Sequence, residues 1–278
     1  MTAEKALSHG VERVGRRDAW LLLSHITGYS VGDLHLNFEN ELGDYEYNLY
    51  FSFLERRLTG EPLQYIIGQW DFMGLTFFTD KRALIPRQET ELLVEEAMKF
   101  IKEVSHGEEK IRILDICTGS GCIALSLACM LGESIEITAV DISVEALSLA
   151  KENAEKSGIS TERVNFIESD LLDNVSGEFD VIISNPPYIL SGDMAELSPT
   201  VRDHEPRLAL DGGVDGLDIY RRLIPQSKNA LCKGGALFLE IGPASVMDLM
   251  ADAGFENKKL LRDYANLERI ITGVKKNV

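Results

Sequence analysis

Several things are scarce in this 278-residue chain, and each scarcity excludes something. There are four cysteines, Cys117, Cys122, Cys129 and Cys232, with no C-x-x-C pair and no histidine cluster near them. A disulfide framework and a zinc site are therefore not expected, no metal ligands are assigned, and a reducing, cytoplasmic setting is. Positive charge is short: 28 Lys and Arg face 45 Asp and Glu, a net charge of −17. Direct binding to a nucleic-acid backbone needs a basic footprint, so that class is disfavoured. Arg13, Arg16 and Arg17 form the one local basic patch near the N-terminus, read as a solvated helix face. No apolar run approaches a membrane span, and residues 1–20 lack the apolar stretch of a signal peptide. The five histidines, His9, His25, His35, His106 and His204, are scattered and suggest no catalytic group.

Proline is sparse too, which sets off the adjacent pair Pro186-Pro187. The pair interrupts Phe179-Asp-Val-Ile-Ile-Ser-Asn-Pro-Pro-Tyr-Ile189, where Phe179, Val181, Ile182 and Ile183 form a run typical of a strand buried on both faces. Proline gives no N–H and fixes φ, so the ladder ends there. Asn185 and Tyr188 are then held on a stiff turn at the carboxyl end of a parallel strand, where open α/β sheets bind ligands. A side-chain amide oxygen from Asn185 and the backbone carbonyl of Pro186 accept from one planar NH2, and an aromatic ring stacks on the group carrying it. Such nitrogens are poor nucleophiles, and fixed acceptors orient them and favour the charge that builds up during attack.

Residues 1–70 read as a small helical bundle, with apolar spacing in Ala19–Ile26 and Tyr47–Leu58, Gly28 as a stop and Ser30 as an N-cap. Residues 71–87 read as a linker holding a short hairpin around Gly74. A helix of about 15 residues then ends near Val104, and Ser105–Lys110 is a surface loop. From Ile111, in the domain assigned to residues 88–278, strand and helix alternate, the signature of a doubly wound parallel α/β sheet. Strands are expected at Ile111–Ile116, Ile135–Val140, Val164–Ile167, Phe179–Ser184 and Ala236–Ile241, with Gly234-Gly235 as the turn into the last. Lys258–Arg262 and Glu268–Val274 form a closing hairpin. Helices are expected at Cys122–Leu131, Val144–Ser157, Pro243–Ala253, and Gly216–Leu231, the last kinked or broken at Pro225.

A ligand loop follows the first of these strands, Cys117-Thr118-Gly119-Ser120-Gly121. Its glycines admit close backbone approach, and the next helix N-terminus favours an anionic group. Asp141, at the end of the next strand, suits ribose hydroxyls, and Asp170 with Leu171 an adenine. Gly119-Ser-Gly-Cys-Ile-Ala124 also fits the dinucleotide fingerprint, so this loop alone does not name a cofactor. The prolyl loop breaks the tie: it suits attack by a planar nitrogen and has no use in hydride transfer, which favours S-adenosylmethionine with its methyl facing Asn185.

Over nearly its whole length the sequence resembles the release-factor glutamine methyltransferases. The resemblance is carried by Gly60-Glu-Pro-Leu-Gln64-Tyr65-Ile66, Leu84-Ile-Pro-Arg87 with Glu89-Thr-Glu91, Ile113-Leu-Asp115 through Gly121, Asn185-Pro186-Pro187-Tyr188, and Glu205-Pro206 through Gly216-Leu217. It implies a helical domain that recognises substrate and a class I, seven-stranded methyltransferase domain. The Asn-Pro-Pro-Tyr loop is then the holder of the target amide: N5 of the glutamine in the Gly-Gly-Gln loop of class 1 peptide chain release factors. Gln88, Cys117, the Gly242-Pro-Ala-Ser stretch and Asn266-Leu-Glu268 depart from the family pattern. Two rivals remain: an adenine-N6 DNA methyltransferase, which the acidic charge disfavours, and a non-catalytic release-factor-binding module, which the intact Gly loop, Asp141 and Asn185 disfavour. Asp115 either orients the Gly loop or binds cofactor through water; Glu205 either walls the substrate side or caps a turn.

Overall fold

In the computed structural model of the protein, residues 1–105, 109–160, 163–242 and 245–276 are described. Contacts divide them into two units, one comprising Met1–Gln69 with Ser198–His204 and the other Trp70–Leu197 with Glu205–Val278.

Helices build the first unit: α1 (Ala3–Val14), α2 (Arg16–Thr27), α3 (Val31–Leu36), α4 (Asp44–Leu58) and α5 (Leu63–Ile67). Caps set their ends, with Thr2 Oγ1 accepting from Lys5 N–H, Ser30 Oγ from Asp33 N–H, and Gly28 left-handed at the close of α2. The core is aliphatic and aromatic, and Tyr50, fully buried, donates to the Ala19 carbonyl. Gly10 is required there: a Cβ at that position would lie 2.0 Å from the Tyr50 hydroxyl. Three exposed histidines lie against aromatic rings, His9 against Phe51, His25 against Phe53, and His35 against Trp20 and Phe38. His106 lies outside the described residues, as do 107 and 108 of the expected Ser105–Lys110 loop. Arg13 pairs with Glu55.

The hairpin β1 (Gln69–Phe72) and β2 (Leu75–Phe78) follows, its residues from Trp70 on belonging to the second unit, and then α6 (Gln88–Val104). Then come β3 (Ile111–Ile116), α7 (Cys122–Leu131), β4 (Ile135–Asp141), α8 (Val144–Lys156), β5 (Val164–Glu168) and β6 (Phe179–Ser184), with no α-helix between the last two; the short α9 (Pro199–Arg202, part of the first unit) and α10 (Asp218–Ala230) precede β7 (Leu231–Glu240). The chain closes with α11 (Val246–Asp252), β8 (Phe255–Arg262) and β9 (Glu268–Lys275). The seven-stranded sheet has the order β5-β4-β3-β6-β7-β9-β8. Its first five strands run parallel, and β9 is antiparallel to both β7 and β8.

The apolar run in β6 explains its central place. Val181 and Ile183 pack on one face with α6 and α7, whereas Ile182 packs on the other with Tyr220, Leu223 and Ile224 of α10. Both faces are covered, as the absence of polar alternation requires.

Two expectations are corrected. α10 continues unbroken through Pro225. Proline removes a hydrogen bond to the Arg221 carbonyl, but Pro225 faces solvent, and buried Tyr220, Leu223, Ile224 and Ser227 hold the helix to the sheet. Gly234-Gly235 is no turn before a strand; it lies inside β7. Phe179 pairs with Leu231 and Val181 with Ala236, so the glycines form an irregularity that absorbs extra residues, Gly234 at φ +79°. The last helix begins at Val246, and 243–244 of its expected start lie outside the described residues.

One buried amide ties the hairpin to the ligand loop. Asn153, fully buried on α8, accepts from Phe78 N–H at 2.6 Å and donates to the carbonyls of Phe78 and Ser120. Asn153→Leu removes the partner of these three groups, and the buried Ser120 carbonyl alone then costs about 1–3 kcal/mol. The variant is expected to unfold several degrees below wild type in a thermal melt; an unchanged midpoint would remove Asn153 from this role.

Candidate active site

The carboxyl ends of the parallel strands converge on one cavity of about 310 Å³. Its lining includes Cys117, Thr118, Gly119 and Ser120 after β3, Asp141 at the end of β4, Asp170 and Leu171 after β5, and Asn185 and Pro187 after β6. Most of the residues singled out in the sequence are therefore brought together. Gly121, Pro186 and Tyr188 are not among the lining residues. Gly121 sits behind the loop at φ +80° as N-cap of α7, where a Cβ would come within 3.1 Å of Ala150 and Leu125.

The floor is held by carboxylates. Asp141 accepts from Gly119 N–H through Oδ2 at 2.8 Å and from Ser143 N–H through Oδ1 at 2.9 Å, which fixes the carboxylate at the cavity wall with lone pairs left on both oxygens. Burial pushes its pKa up, opposed by these backbone N–H groups. Asp115, fully buried, accepts through Oδ2 from the Thr118 hydroxyl at 2.6 Å and from Ala124 N–H at 3.2 Å. It thus orients the Gly loop, and its Oδ1 has no partner among the described residues. Cys117 and Leu171, both lining the cavity, are left-handed at φ +60° and +51° without being glycine, a conformation that costs L-residues about 1–2 kcal/mol.

Burial pushes the Asp115 carboxyl up to about 7, against the pull of Thr118 and Ala124. The folded state then keeps a proton that the unfolded state releases near pH 4, so the associated stability is full at low pH and is lost as pH rises to about 7. Asp115→Asn lacks this titration. The stability difference, variant minus wild type, is expected to climb between pH 5 and 7 and level off above; a flat difference in denaturant titrations across that range would contradict it.

The strap Leu84-Ile-Pro-Arg87 also lines the cavity. Glu205, its side chain 1% exposed, accepts from Ile85 N–H at 3.2 Å and from the Arg87 guanidinium at 2.6 Å, so its place is to hold this strap. Downstream, Ile189 exchanges backbone hydrogen bonds with Leu210 and Gly212, and Ser191 Oγ donates to Asp211. Gly212 is pressed so close that a Cβ would lie 2.6 Å from Tyr188 Cα. The stretch 205–217 thereby buttresses the prolyl loop. On the opposite side Arg222, from α10, donates to Asp170, and both line the cavity.

Behind Asn185 lies a group that sequence reasoning missed. Asn185 Nδ2 donates to Thr90 Oγ1 at 3.1 Å, Thr90 Oγ1 donates to Glu240 Oε2 at 2.6 Å, and the Tyr188 hydroxyl donates to Glu240 Oε1 at 3.2 Å. Glu240 is 1% exposed; burial raises its pKa, and the two hydroxyls and the charge of Arg269 draw it back. Burial likewise raises the pKa of the Tyr188 phenol. The Tyr188 ring lies against Gly242, where a Cβ would meet it at 2.5 Å. A signal was present: a lone carboxylate, Glu240, interrupts the apolar run Ala236–Ile241, and buried carboxylates are seldom found unpaired.

Among the described residues no cluster of His, Cys, Asp or Glu is placed to hold a metal ion, and no helix is long and apolar enough to cross a membrane.

Comparison with known proteins agrees with this geometry. The family model for the methyltransferase small domain matches residues 90–198, and that for the PrmC N-terminal domain residues 2–68. A release factor glutamine methyltransferase of Chlorobaculum tepidum is 40% identical over 91% of this chain and 88% of its own length. One from Deinococcus radiodurans is 43% identical over 84% and 81%. Among solved structures, a Thermus thermophilus 16S rRNA N2 G1207 methyltransferase in complex with AdoMet and guanosine aligns with a TM-score of 0.55 at 17% identity, over 75% of this chain and half of that one. The hMettl16 catalytic domain in complex with an RNA hairpin aligns at 0.56 and 15%, over 84% and 82%, a likeness of fold. The identity to the bacterial enzymes, sustained across both units, establishes that the chain belongs to the release factor glutamine methyltransferase family.

Proposed function

We propose that this enzyme methylates N5 of the glutamine in the Gly-Gly-Gln loop of a class 1 peptide chain release factor, with S-adenosylmethionine as donor and without binding nucleic acid directly, in the cytoplasm. One observation carries the site assignment. Asn185 lines the cavity with its amide NH2 committed to Thr90, and its Oδ1 accepts no hydrogen bond among the described residues. An acceptor held at the rim of a cofactor cavity is what a substrate NH2 needs.

The cavity fits the donor. Gly119 admits close backbone approach, Asp141 keeps lone pairs for ribose hydroxyls, and Asp170 with Leu171 offers an adenine an acceptor and an apolar face. When bound, S-adenosylmethionine supplies an electrophilic methyl group. Asn185 Oδ1 and the Pro186 carbonyl, which accepts no backbone hydrogen bond among the described residues, accept hydrogen bonds from the two N–H groups of the amide. Those bonds strengthen as the nitrogen becomes positive, so they favour the transition state over the ground state. Tyr188 stiffens the same loop through Glu240.

The helical unit, residues 1–70 in the sequence reading, supplies recognition of the protein substrate. A short loop buries too little surface for discrimination, since specific interfaces usually exceed about 1,000 Å². The test is mass spectrometry of an intact release factor and of a peptide carrying only its Gly-Gly-Gln loop, each incubated with enzyme and S-adenosylmethionine. A 14 Da gain on the loop glutamine, with much higher kcat/KM on the intact factor, is the expected result. No gain on that glutamine would overturn the assignment, and equal kcat/KM would overturn the recognition role.

A further inference from the structure

Glu240 reaches Asn185 only through Thr90, and the direction of each hydrogen bond in that chain matters. Both carboxyl oxygens of Glu240 accept, from the Thr90 and Tyr188 hydroxyls, and a threonine hydroxyl has one proton. Thr90 gives that proton to Glu240 Oε2 at 2.6 Å, so only lone pairs remain on Oγ1 to meet Asn185. The amide must answer with Nδ2, at 3.1 Å, which leaves Oδ1 as the end available at the cavity. The two ends of a side-chain amide are nearly the same shape, so packing distinguishes them weakly and hydrogen-bond polarity decides.

Glu240 is itself immobilised. Its other oxygen accepts from the Tyr188 hydroxyl, and its backbone carbonyl accepts from Tyr220 at 2.7 Å. It is 1% exposed and does not line the cavity, so it acts on the site through its neighbours.

We infer that Glu240 is a positioning residue which, through the Thr90 hydroxyl, sets the amide of Asn185 oxygen-outward and so makes the site an acceptor of an NH2 group. This rests on the reading that Asn185 holds the glutamine amide. With the chain reversed, Asn185 would present its own NH2 to the substrate's, donor against donor. The same polarity selects the substrate class: a planar group with protons to give, such as a primary amide, fits, and a carboxylate of the same shape, as in glutamate, does not.

The test compares four variants of the full-length enzyme for melting temperature, S-adenosylmethionine affinity by calorimetry, and kcat and KM on a class 1 release factor. Thr90→Ser keeps the hydroxyl and should turn over near the wild-type rate. Thr90→Val keeps the shape and loses the relay, and should lose about 10–100-fold in kcat, the usual cost of an outer partner, with cofactor affinity and KM little changed. Glu240→Gln should fall likewise, because its NH2 can donate to Thr90 and reverse the chain. A Thr90→Val enzyme as fast as wild type, or one no slower than Thr90→Ser, overturns the inference even if Glu240→Gln fails to fold. Asn185→Ala is the fourth variant. If it is slow while Thr90→Val is not, only the relay is wrong; if it is as fast as wild type, the reading of Asn185 falls with it.

Discussion

Asn185→Ala should bind S-adenosylmethionine within a few-fold of wild type and transfer methyl about 10²–10³-fold more slowly, the usual cost of removing one positioned transition-state hydrogen bond. The separation of effects follows from the geometry. Asp141 accepts from Gly119 and Ser143, and Asp115 from Thr118 and Ala124, none of which involves Asn185, so this wall of the cavity survives the change. What is lost is Oδ1 as an acceptor, together with the Nδ2 bond to Thr90. Thr90 keeps its bond to Glu240, so the network behind stays partly satisfied and the fold should hold. Asn185→Asp retains an acceptor oxygen but has no proton for Thr90 Oγ1 and adds charge near Glu240; its rate should lie between those of Ala and wild type. Single-turnover transfer at saturating cofactor reads the step directly, and a normal rate for the Ala variant would sink the assignment.

How much of this was legible in the chain depends on the range of the interactions. The strands β3 and β6 and the helix α7 carry the bounds expected from sequence, because each is an apolar run closed by glycine or proline. The place of Asp141 in the cavity wall was legible, because it ends a strand that follows a Gly loop. The bonds that clamp it, from Gly119 and Ser143, follow once the strands pair. The Glu240 relay was not legible. Its members lie 150 and 95 residues apart in sequence, on α6, β7 and the prolyl loop, and no local spacing joins them. Only the finished sheet does, by setting β6 beside β7 in parallel register.

Pro225 and Gly234-Gly235 show the opposite failure, local rules overruled by packing. A proline inside a helix costs about 3 kcal/mol or more. In α10 its missing bond faces water while the other face is sealed by Tyr220, Leu223 and Ile224, so burial outweighs propensity. Glu205 was open to two readings because either a wall or a cap suits a lone carboxylate before proline. Its contact with Ile85 and Arg87, about 120 residues upstream, decides between them.

Asp141→Ala should weaken S-adenosylmethionine binding by about 10²-fold, reading two charge-assisted bonds to ribose hydroxyls at roughly 1.5 kcal/mol each, the low end of the range for charged groups. The low end is chosen because each carboxylate oxygen already accepts one backbone N–H and shares its charge with it. The variant also frees Gly119 N–H and Ser143 N–H. Both lie at the cavity, where water can reach them, so the stability cost should be smaller than the loss of affinity. Asp141→Asn is the companion: it keeps one acceptor oxygen but places an NH2 against one of two backbone donors, so it should recover little affinity. The kcat at saturating cofactor should fall far less than in Asn185→Ala, because the proposal assigns Asp141 to the ribose and not to the reacting nitrogen. Calorimetric titration of the two variants decides: a wild-type affinity in Asp141→Ala would remove this carboxylate from the cofactor site.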